Sequence, residues 1–224
     1  MNQDIIIPTN YKPGLDLFET EKAIRAIKTF FEDNLAESLN LRRVTAPLFV
    51  QKGTGINDDL NGSEAPVAFR TTGNMDYEVE IVQSLAKWKR MALADYGFGF
   101  NHGEGLYTDM NALRPSENVG NLHSIYVDQW DWERVVSSEE RSISFLKTIV
   151  DRIYLVMRRT ERFIYDKYLT IKPTLPETIT YLHTEELAEK YPDLSPPERE
   201  FKATEEYGAV FIIGIGAPLP TGEP

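Results

Sequence analysis

The chain has 224 residues, 42% of them hydrophobic, and a formal net charge of −11 at pH 7. This length and hydrophobic content are enough for one sizeable core. The acidic balance argues against a general nucleic-acid binder, which needs a basic surface. Cysteine is absent, which excludes a disulfide scaffold and thiolate metal sites.

The cellular location is predicted from what the sequence lacks. Its first residues, MNQDIIIPTNYKPG, contain no basic leader followed by a long apolar run, so no signal peptide is expected. No stretch approaches the roughly 20 apolar residues that span a bilayer. We therefore expect a soluble cytoplasmic protein with no membrane or nucleic-acid partner.

The first predicted elements are a long helix and a strand. Apolar residues recur at helical spacing over residues 17–39, and Asp16 with Glu19 three positions later predicts a capping box at the helix start. The next segment, LRRVTAPLFV, predicts a strand that contains Pro47. Because proline has no N–H to donate, this strand is expected at a sheet edge or an interface.

The middle of the chain alternates loops with regular elements. The stretch GTGINDDLNGSEAP predicts a turn-rich loop. Strands are expected at VAFRT, YEVEIV and LYTDMNALR, a helix at SLAKWKRMALADYG, and a glycine-rich loop at GFGFNHGEG. This loop lacks the lysine and hydroxyl that follow the glycines of a Walker-type phosphate loop.

The rest of the chain predicts a second long helix through Phe145 and Phe163, a short helix over Thr184–Tyr191, and a buried strand at GAVFIIGIG. Strands and helices are mixed without regular βαβ alternation, and most strand pairs have short links. The pattern therefore favours an α+β fold with a mainly antiparallel sheet flanked by helices.

One further strand, HSIYVDQWDWERV, is unusually rich in both aromatic and acidic residues. Because successive side chains alternate between faces, Gln129, Asp131 and Glu133 share one face, while Trp130 and Trp132 lie on the other. Two interpretations stay open. The polar side can face water, as is common in antiparallel sheets, or it forms the floor of a pocket for a small polar ligand.

Other polar residues are candidates for the same pocket. Asp58 lies in GINDDLNG, Ser84 and Lys89 in QSLAKWKR, and Arg114 at the end of ALRP. Arginine favours flat, bidentate anions, while carboxylates and amides suit an ammonium group, so together they fit an amino acid beside a nucleotide phosphate. The alternatives are a turn residue for Asp58, a solvated face for the lysine-rich helix, and an ion pair of Arg114 with Glu117.

Six stretches, in order along nearly the whole chain, resemble segments of bacterial ammonia-dependent asparagine synthetase, also called aspartate–ammonia ligase. They are GINDDLNG, EIVQSLAKWKR, EGLYTDMNALRP, LHSIYVDQWDWERV, YPDLSPPERE and GAVFIIGIG. That family is similar to the catalytic domain of class II aminoacyl-tRNA synthetases. Residues 114–133 resemble their second motif, and Pro47 resembles the dimer-interface proline of their first. The resemblance implies one class II synthetase-like catalytic domain over residues 1–224 and a homodimer.

The resemblance also implies roles for individual residues. Arg114 would hold the α-phosphate of ATP and the charge of the adenylation transition state, and it would share catalysis with Lys89, which would pair with a carboxylate of aspartate. Ser124 would be a second nucleotide-binding residue. The residues implied to bind aspartate are Asp58, Gln83, Ser84, Lys89, Gln129 and Asp131. Gln83 replaces a histidine expected in some family members, although aspartyl-tRNA synthetases carry Gln-Ser there. No magnesium ligand is assigned.

The implied reaction has two steps. The β-carboxylate of aspartate attacks the α-phosphorus of Mg·ATP, which gives β-aspartyl-AMP and pyrophosphate. Ammonia then displaces AMP and yields asparagine. No protein nucleophile is needed, so catalysis would rest on positioning and charge stabilisation.

The same resemblance implies that the domain lacks its C-terminal part, because family members continue with an acidic stretch and a glycine-rich, ATP-binding motif. We expect the chain alone to bind aspartate weakly and not to make asparagine at an appreciable rate. A non-catalytic paralogue that binds aspartate or an adenylate in a sensing or partner role would share every residue named above, so this alternative stays open. A protein acting on RNA is disfavoured by the net charge of −11.

Overall fold

The computed structural model describes residues 5–58, 60, 64–74, 76–95 and 97–216. The helices are α1 (Leu17–Leu39), α2 (Ala86–Asp95), α3 (Ile143–Lys167), α4 (Thr184–Lys190) and α5 (Pro196–Tyr207). The strands are β1 (Leu41–Arg43), β2 (Phe49–Gln51), β3 (Ala68–Arg70), β4 (Glu78–Ile81), β5 (Gly105–Leu113), β6 (Tyr126–Arg134), β7 (Thr180–His183) and β8 (Val210–Ile213). The mixed order confirms the predicted α+β class, while α5 and β7 were not predicted.

The chain divides into two compact units, and the division falls within α1. The first unit contains Glu32–Arg141 and the described residues before Gly14, and the second contains Gly14–Phe31 with the chain from Ser142 onwards. The single catalytic domain over residues 1–224 stays a prediction. Within the described ranges, no helix is long and apolar enough to cross a membrane.

Two three-stranded sheets form the first unit. One has the strand order β1-β5-β6 and the other β2-β4-β3. The β5–β6 pair is an antiparallel hairpin with a register from Gly105 opposite Arg134 to Leu113 opposite Tyr126. Beyond the end of β4, the Val82 carbonyl accepts a hydrogen bond from the Leu113 N–H at 3.2 Å, which links the two sheets.

The prediction of one continuous strand through Pro47 was wrong. The chain leaves the first sheet after β1, runs without regular structure through residues 44–48, and enters the second sheet at β2. Proline cannot supply an N–H to a ladder, so regular pairing is interrupted around it. At this interruption the chain passes from the first sheet to the second. The Leu48 carbonyl then accepts the Val82 N–H at 3.1 Å.

The core of the first unit lies between α2 and one face of the β5–β6 hairpin. Leu106, Met110 and Ala112 of β5 are 0%, 1% and 1% exposed, and they belong to one apolar cluster with Trp88 and Ala92 of α2. The two-residue period of β5 puts these side chains on one face. This packing fixes α2 over the face of the hairpin that also carries three polar side chains of β6, Gln129, Asp131 and Glu133.

The second unit is built around α3, which was predicted as the second long helix. Ser142 caps this helix by accepting the Phe145 N–H at 3.2 Å, as serine commonly does at this position. The strand β8, predicted from GAVFIIGIG, pairs in parallel with β7. Only Ile213 of β8 is fully buried among its four residues, so this strand is less buried than its composition predicts.

Candidate active site

A buried ion pair lies where α2 packs on β6. Lys89 is 2% exposed, and its ammonium contacts the Asp131 carboxylate and donates to the Trp132 carbonyl oxygen at 3.2 Å. The Glu133 carboxylate lies 3.6 Å from the same nitrogen. Asp131 and Glu133 therefore lie on the same face of β6, as the alternation of side chains in a strand predicts. A buried charge is tolerated only when it is paired, and here two carboxylates surround one ammonium.

Gln129 lies two residues before Asp131 in β6, opposite Met110 in the hairpin register. The period of the strand places its amide on the same face as the Asp131 carboxylate. Unlike Asp131, which is half-buried, Gln129 is exposed. An amide at this position is free of the core and can donate to or accept from a ligand that reaches the ion pair.

Gln83 is another deeply buried polar side chain of the region. It is 0% exposed, and neither its amide nitrogen nor its amide oxygen has a hydrogen-bond partner among the described residues. Its backbone carbonyl oxygen lies 3.5 Å from the Arg114 Nε. An unpartnered buried amide costs about 1–3 kcal/mol, and in native proteins such groups are rare enough to need a specific reason.

Arg114 follows the last residue of β5 and is therefore placed by the hairpin. Its N–H donates to the Ile125 carbonyl at 2.8 Å, and its carbonyl accepts from the Glu117 N–H at 3.1 Å. In the part of the chain that is described, its guanidinium makes no ion pair with Glu117, so the simple surface pair considered above is not formed. Arg114 therefore lies beside Gln83, close to the hydrogen bond between Leu113 and Val82 that links the two sheets.

Ser84 lies at the start of α2, directly after Gln83. Its hydroxyl oxygen accepts the Ala86 N–H at 3.2 Å, which satisfies one of the orphan donors of the first helical turn. The hydroxyl proton is still available to a ligand, since this bond uses only a lone pair. Ser84 is half-buried and lines the same junction as Gln83.

Asp58 is held at the other side of α2. Its carboxylate lies 3.2 Å from the Lys87 ammonium, and Lys87 is two residues from Lys89 on the helix. Residues at this spacing do not face each other, so the structure does not bring Asp58 into contact with the Lys89–Asp131 pair. The adjacent Asn57 connects this loop to the site, because its side chain accepts the Gln83 N–H at 2.9 Å.

Ser124 lies in the loop between β5 and β6 and is exposed. It is separated along the chain from Arg114 by the hairpin loop, and its nucleotide-binding role stays a prediction. Asn57 has a clear geometric role but was not predicted as a site residue, and Glu133, although predicted on the pocket face, was not predicted as a second partner of Lys89. The alternation of β6 did place Glu133 on the correct face, whereas Asn57 carried no signal beyond a turn composition.

The opposite face of the hairpin has a structural role. Tyr107 donates its hydroxyl to the Glu32 carboxylate at 2.8 Å, and Arg43 contacts Asp109 at 3.2 Å. Burial, together with the Glu32 carboxylate, raises the pKa of Tyr107 well above its usual range, so the phenol remains a donor at neutral pH. These contacts hold β1 and α1 against the hairpin while leaving the α2 face for chemistry.

No group of three or more histidine, aspartate or glutamate side chains is arranged to hold a metal ion within the described ranges. The acids at this site, Asp131 and Glu133, are engaged by Lys89.

The candidate site combines a buried lysine, a carboxylate, two amides and an arginine where the two sheets of the first unit are linked. The family model "AsnA: Aspartate-ammonia ligase" matches residues 18–224. The chain belongs to the aspartate–ammonia ligase family. It is 57% identical to an aspartate–ammonia ligase of Bacteroides thetaiotaomicron over 98% of its length, and 55% identical to one of Clostridium perfringens over 99%.

The chain spans only part of these ligases. The matched region is 63% of the Bacteroides thetaiotaomicron protein and 65% of the Clostridium perfringens protein. A third relative, the aspartate–ammonia ligase of Parabacteroides distasonis, is 58% identical over 98% of this chain and 63% of its own length.

Solved structures show that this ligase family member has the class II aminoacyl-tRNA synthetase fold. The asparaginyl-tRNA synthetase of Entamoeba histolytica, solved with asparaginyl-adenylate, matches 87% of this chain and 43% of its own with a TM-score of 0.56 at 14% identity. That of Pyrococcus horikoshii, also solved with asparaginyl-adenylate, matches 85% of this chain and 44% of its own with a TM-score of 0.57 at 14% identity. The predicted fold class is confirmed.

Proposed function

We propose that the protein converts aspartate and ammonia to asparagine at the expense of ATP, which is cleaved to AMP and pyrophosphate. The observation that carries this proposal is the orphan amide of Gln83, which is 0% exposed with both polar atoms unpartnered. A group that offers one donor and one acceptor fits a ligand that presents both, as a zwitterionic amino acid does. The cost of burying this amide is then offset when the substrate binds.

The amino-acid part of the site is proposed around the buried ion pair. Lys89 would bind a carboxylate of aspartate, while Asp131 and Gln129 would bind its ammonium group. In the free protein Lys89 and Asp131 contact each other, so the incoming zwitterion would replace one internal ion pair with two pairs of the same kind. Gln83 and Ser84 would line the wall. Asp58 is directed at Lys87 instead, so its proposed substrate contact requires its carboxylate to turn.

The nucleotide part is proposed at Arg114. Its position at the hairpin end and beside the Gln83 carbonyl would direct a permanent positive charge at an α-phosphate next to the amino-acid pocket. Ser124 would bind the nucleotide from the hairpin loop. Magnesium would enter with ATP and neutralise the outer phosphates when bound, and the two acids that face Lys89 leave it no ready set of protein ligands.

The chemistry follows from this arrangement. The β-carboxylate oxygen attacks the α-phosphorus, a P–O bond forms, and the bond to pyrophosphate breaks, which gives β-aspartyl-AMP. Ammonia adds to the activated carbonyl, AMP leaves with the electron pair of its acyl bond, and the ammonium proton passes to solvent. Arg114 would stabilise the charge that develops on the α-phosphate. The asparaginyl-adenylate in the solved synthetases supports an acyl-adenylate in this fold.

The proposal includes a cytoplasmic homodimer. Aspartate, ammonia and ATP are all cytoplasmic metabolites. For the dimer, the support is the apolar surface of α1, where Leu17 and Phe18 are 80% and 70% exposed, together with Pro47 in a segment that makes no ladder. Self-association through the α1 surface would give a closed isologous dimer.

The experiment that tests the function measures binding and chemistry separately. Calorimetry with L-aspartate is expected to detect binding, and a coupled assay is expected to detect pyrophosphate release that requires both aspartate and ATP in the full-length enzyme. Aspartate binding without pyrophosphate release would favour the non-catalytic binding protein. Absence of aspartate binding would contradict the proposal.

A matched pair of variants isolates the orphan amide. Gln83→Met keeps the side-chain length but removes the polar atoms, so we expect the free protein to become more stable by about 1 kcal/mol while aspartate affinity falls about tenfold. Gln51→Met, at an exposed position of β2, is the control. It is expected to change neither the free energy of unfolding nor the free energy of aspartate binding by more than about 0.5 kcal/mol. A destabilised Gln83→Met variant with unchanged aspartate affinity would show that Gln83 is only a packing residue.

A further inference from the structure

Asn57 makes an unusual set of contacts at the end of β4. Its side-chain nitrogen donates to the Ile81 carbonyl at 3.1 Å, and its side-chain oxygen accepts the Gln83 N–H at 2.9 Å. The two backbone groups are two residues apart, which is the spacing at which one residue of a parallel strand would bind its neighbour. The amide of Asn57 thus takes the place of a strand residue where β4 has ended.

The opposite edge of the same backbone is held by main-chain groups. Between the two residues bound by Asn57, the Val82 N–H donates to the Leu48 carbonyl at 3.1 Å, and its carbonyl accepts the Leu113 N–H at 3.2 Å. Residues 81–83 are therefore held on both edges: backbone groups hold one, and on the other the Asn57 side chain acts together with the Val67 carbonyl, which accepts the Ile81 N–H at 2.9 Å. Because Asn57 is half-buried, water competes only partly for these bonds.

Asn57 also links the two sides of the candidate site. Its carbonyl oxygen lies 3.4 Å from the Lys87 ammonium, which is also 3.2 Å from the carboxylate of the next residue, Asp58. On the other side, the backbone that Asn57 fixes carries the orphan amide of Gln83, and the Gln83 carbonyl faces Arg114. One side chain thus connects the loop of Asp58 to the residue with the unsatisfied amide.

We infer that Asn57 is a positioning residue for amino-acid binding: it holds the Gln83 backbone so that the orphan amide points at the substrate. It acts through Gln83 rather than by touching the substrate. Loss of its side chain would free the Ile81 carbonyl and the Gln83 N–H and let the buried amide turn toward another partner. This inference rests on the proposed function, since it assumes that aspartate binds beside Gln83.

The chain contains a matched control for this role. The Asn121 side chain makes the same two kinds of bond to backbone, accepting the Ile6 N–H at 2.7 Å and donating to the Ile6 carbonyl at 2.9 Å. Those bonds join two exposed segments in the same unit, and neither segment carries a residue assigned to aspartate binding. Asn57→Ala and Asn121→Ala therefore remove the same chemistry from different places.

The test compares calorimetric affinities for aspartate and for ATP with thermal stability in the unaltered chain and in both variants. We expect Asn57→Ala to weaken aspartate binding about tenfold or more and to leave any ATP affinity within about twofold, because the edge that it releases carries Gln83. Asn121→Ala is expected to keep the aspartate affinity of the unaltered chain. Asn57→Asp, which retains an acceptor for the Gln83 N–H but repels the Ile81 carbonyl, is expected to give an intermediate loss.

The outcomes are distinguishable. Normal aspartate affinity in Asn57→Ala would overturn the inference and leave the proposed function intact. Equal loss of aspartate and ATP binding would also overturn it, because a general loosening of the fold would then explain the result. If Asn57→Ala does not fold, Asn57→Asp is used instead. Normal aspartate affinity in that variant, or equal loss of aspartate and ATP binding, would likewise overturn the inference. If the unaltered chain does not bind aspartate at all, the proposed function fails, and this inference fails with it.

Discussion

At the scale of single residues, Lys89 illustrates how burial and charge are balanced at the candidate site. Its side chain is 3% exposed and that of Asp131 is 18% exposed. Two carboxylates approach one ammonium there, and Arg90, whose side chain is 71% exposed, lies 3.8 Å from the second of them, Glu133. Removing either member of such a pair leaves the other charge in a poorly solvated place.

Lys89→Met should therefore destabilise the first unit strongly. The expected loss in the free energy of unfolding is about 3 kcal/mol, because Asp131 and Glu133 would lose the cation between them. Lys87→Met removes a lysine from the same helix, but the side chains of its pair with Asp58 are 44% and 22% exposed, more than those of the Lys89 pair, and the expected loss is below about 1 kcal/mol. Urea titrations of both variants measure the difference, and similar losses would show that burial of the Lys89 pair has no special cost.

Arg114 should affect chemistry more than binding. In the full-length enzyme we expect Arg114→Ala to lower turnover by about 10²–10³-fold, since its guanidinium is proposed to meet charge that grows in the transition state. The aspartate Michaelis constant is expected to change much less. Steady-state kinetics decide the matter: unchanged turnover with a raised aspartate Michaelis constant would move Arg114 to the amino-acid site.

At the scale of elements, the β5–β6 hairpin positions most of the site, and its first residue is a glycine for a steric reason. A Cβ at Gly105 would lie 2.3 Å from the Glu133 carbonyl oxygen and 2.9 Å from the Arg134 Cα. Both atoms belong to the backbone of β6, so they cannot rotate away. The glycine therefore allows β6 to approach β5 at the residue that also helps to hold Lys89.

Gly105→Ala is expected to cost about 2 kcal/mol or more, because the added methyl must push the two strands apart. The comparison is Gly73→Ala, where an added Cβ would meet no atom within 4 Å and the expected change is within about 0.5 kcal/mol. Thermal unfolding of the two variants gives the answer. Equal melting temperatures would mean that the hairpin adjusts without cost.

At the scale of the whole molecule, the net charge of −11 and the exposed apolar residues of α1 have opposite effects on self-association. The charge keeps molecules apart in solution, whereas exposed apolar side chains favour a specific contact. Ile24 of α1 is 47% exposed and belongs to the stripe that predicted the helix. In the proposed homodimer, the exposed apolar residues of α1 are buried against the same residues of the second copy.

Light scattering of the complete protein at micromolar concentration is expected to give twice the monomer mass. Ile24→Glu should shift the mass toward the monomer, because a carboxylate would enter the apolar contact. Val119→Glu changes a residue with the same 47% exposure in the β5–β6 loop, and it should leave the mass unchanged. A monomeric unaltered protein would rule out this dimer.

The sequence by itself determined the features that repeat locally. Helical spacing gave α1 with its bounds at residues 17–39, and Asp16 accepts the Glu19 N–H at 2.8 Å as half of the expected capping box. Two-residue alternation put Asp131 and Glu133 on one face. Each of these depends on residues only a few positions apart, so the chain carries the information before it folds. The family resemblance was also visible in ordered segments of the sequence.

Only the tertiary structure decided how distant segments meet. It separated the Pro47 strand into β1 and β2, directed Asp58 to Lys87, and left the Gln83 amide without a partner. It also brought Asn57 to Gln83 across 26 residues and Lys89 to Asp131 across 42. Such contacts follow from the packing of α2 on the hairpin, and no local spacing encodes which buried polar group finds a hydrogen-bond partner and which does not.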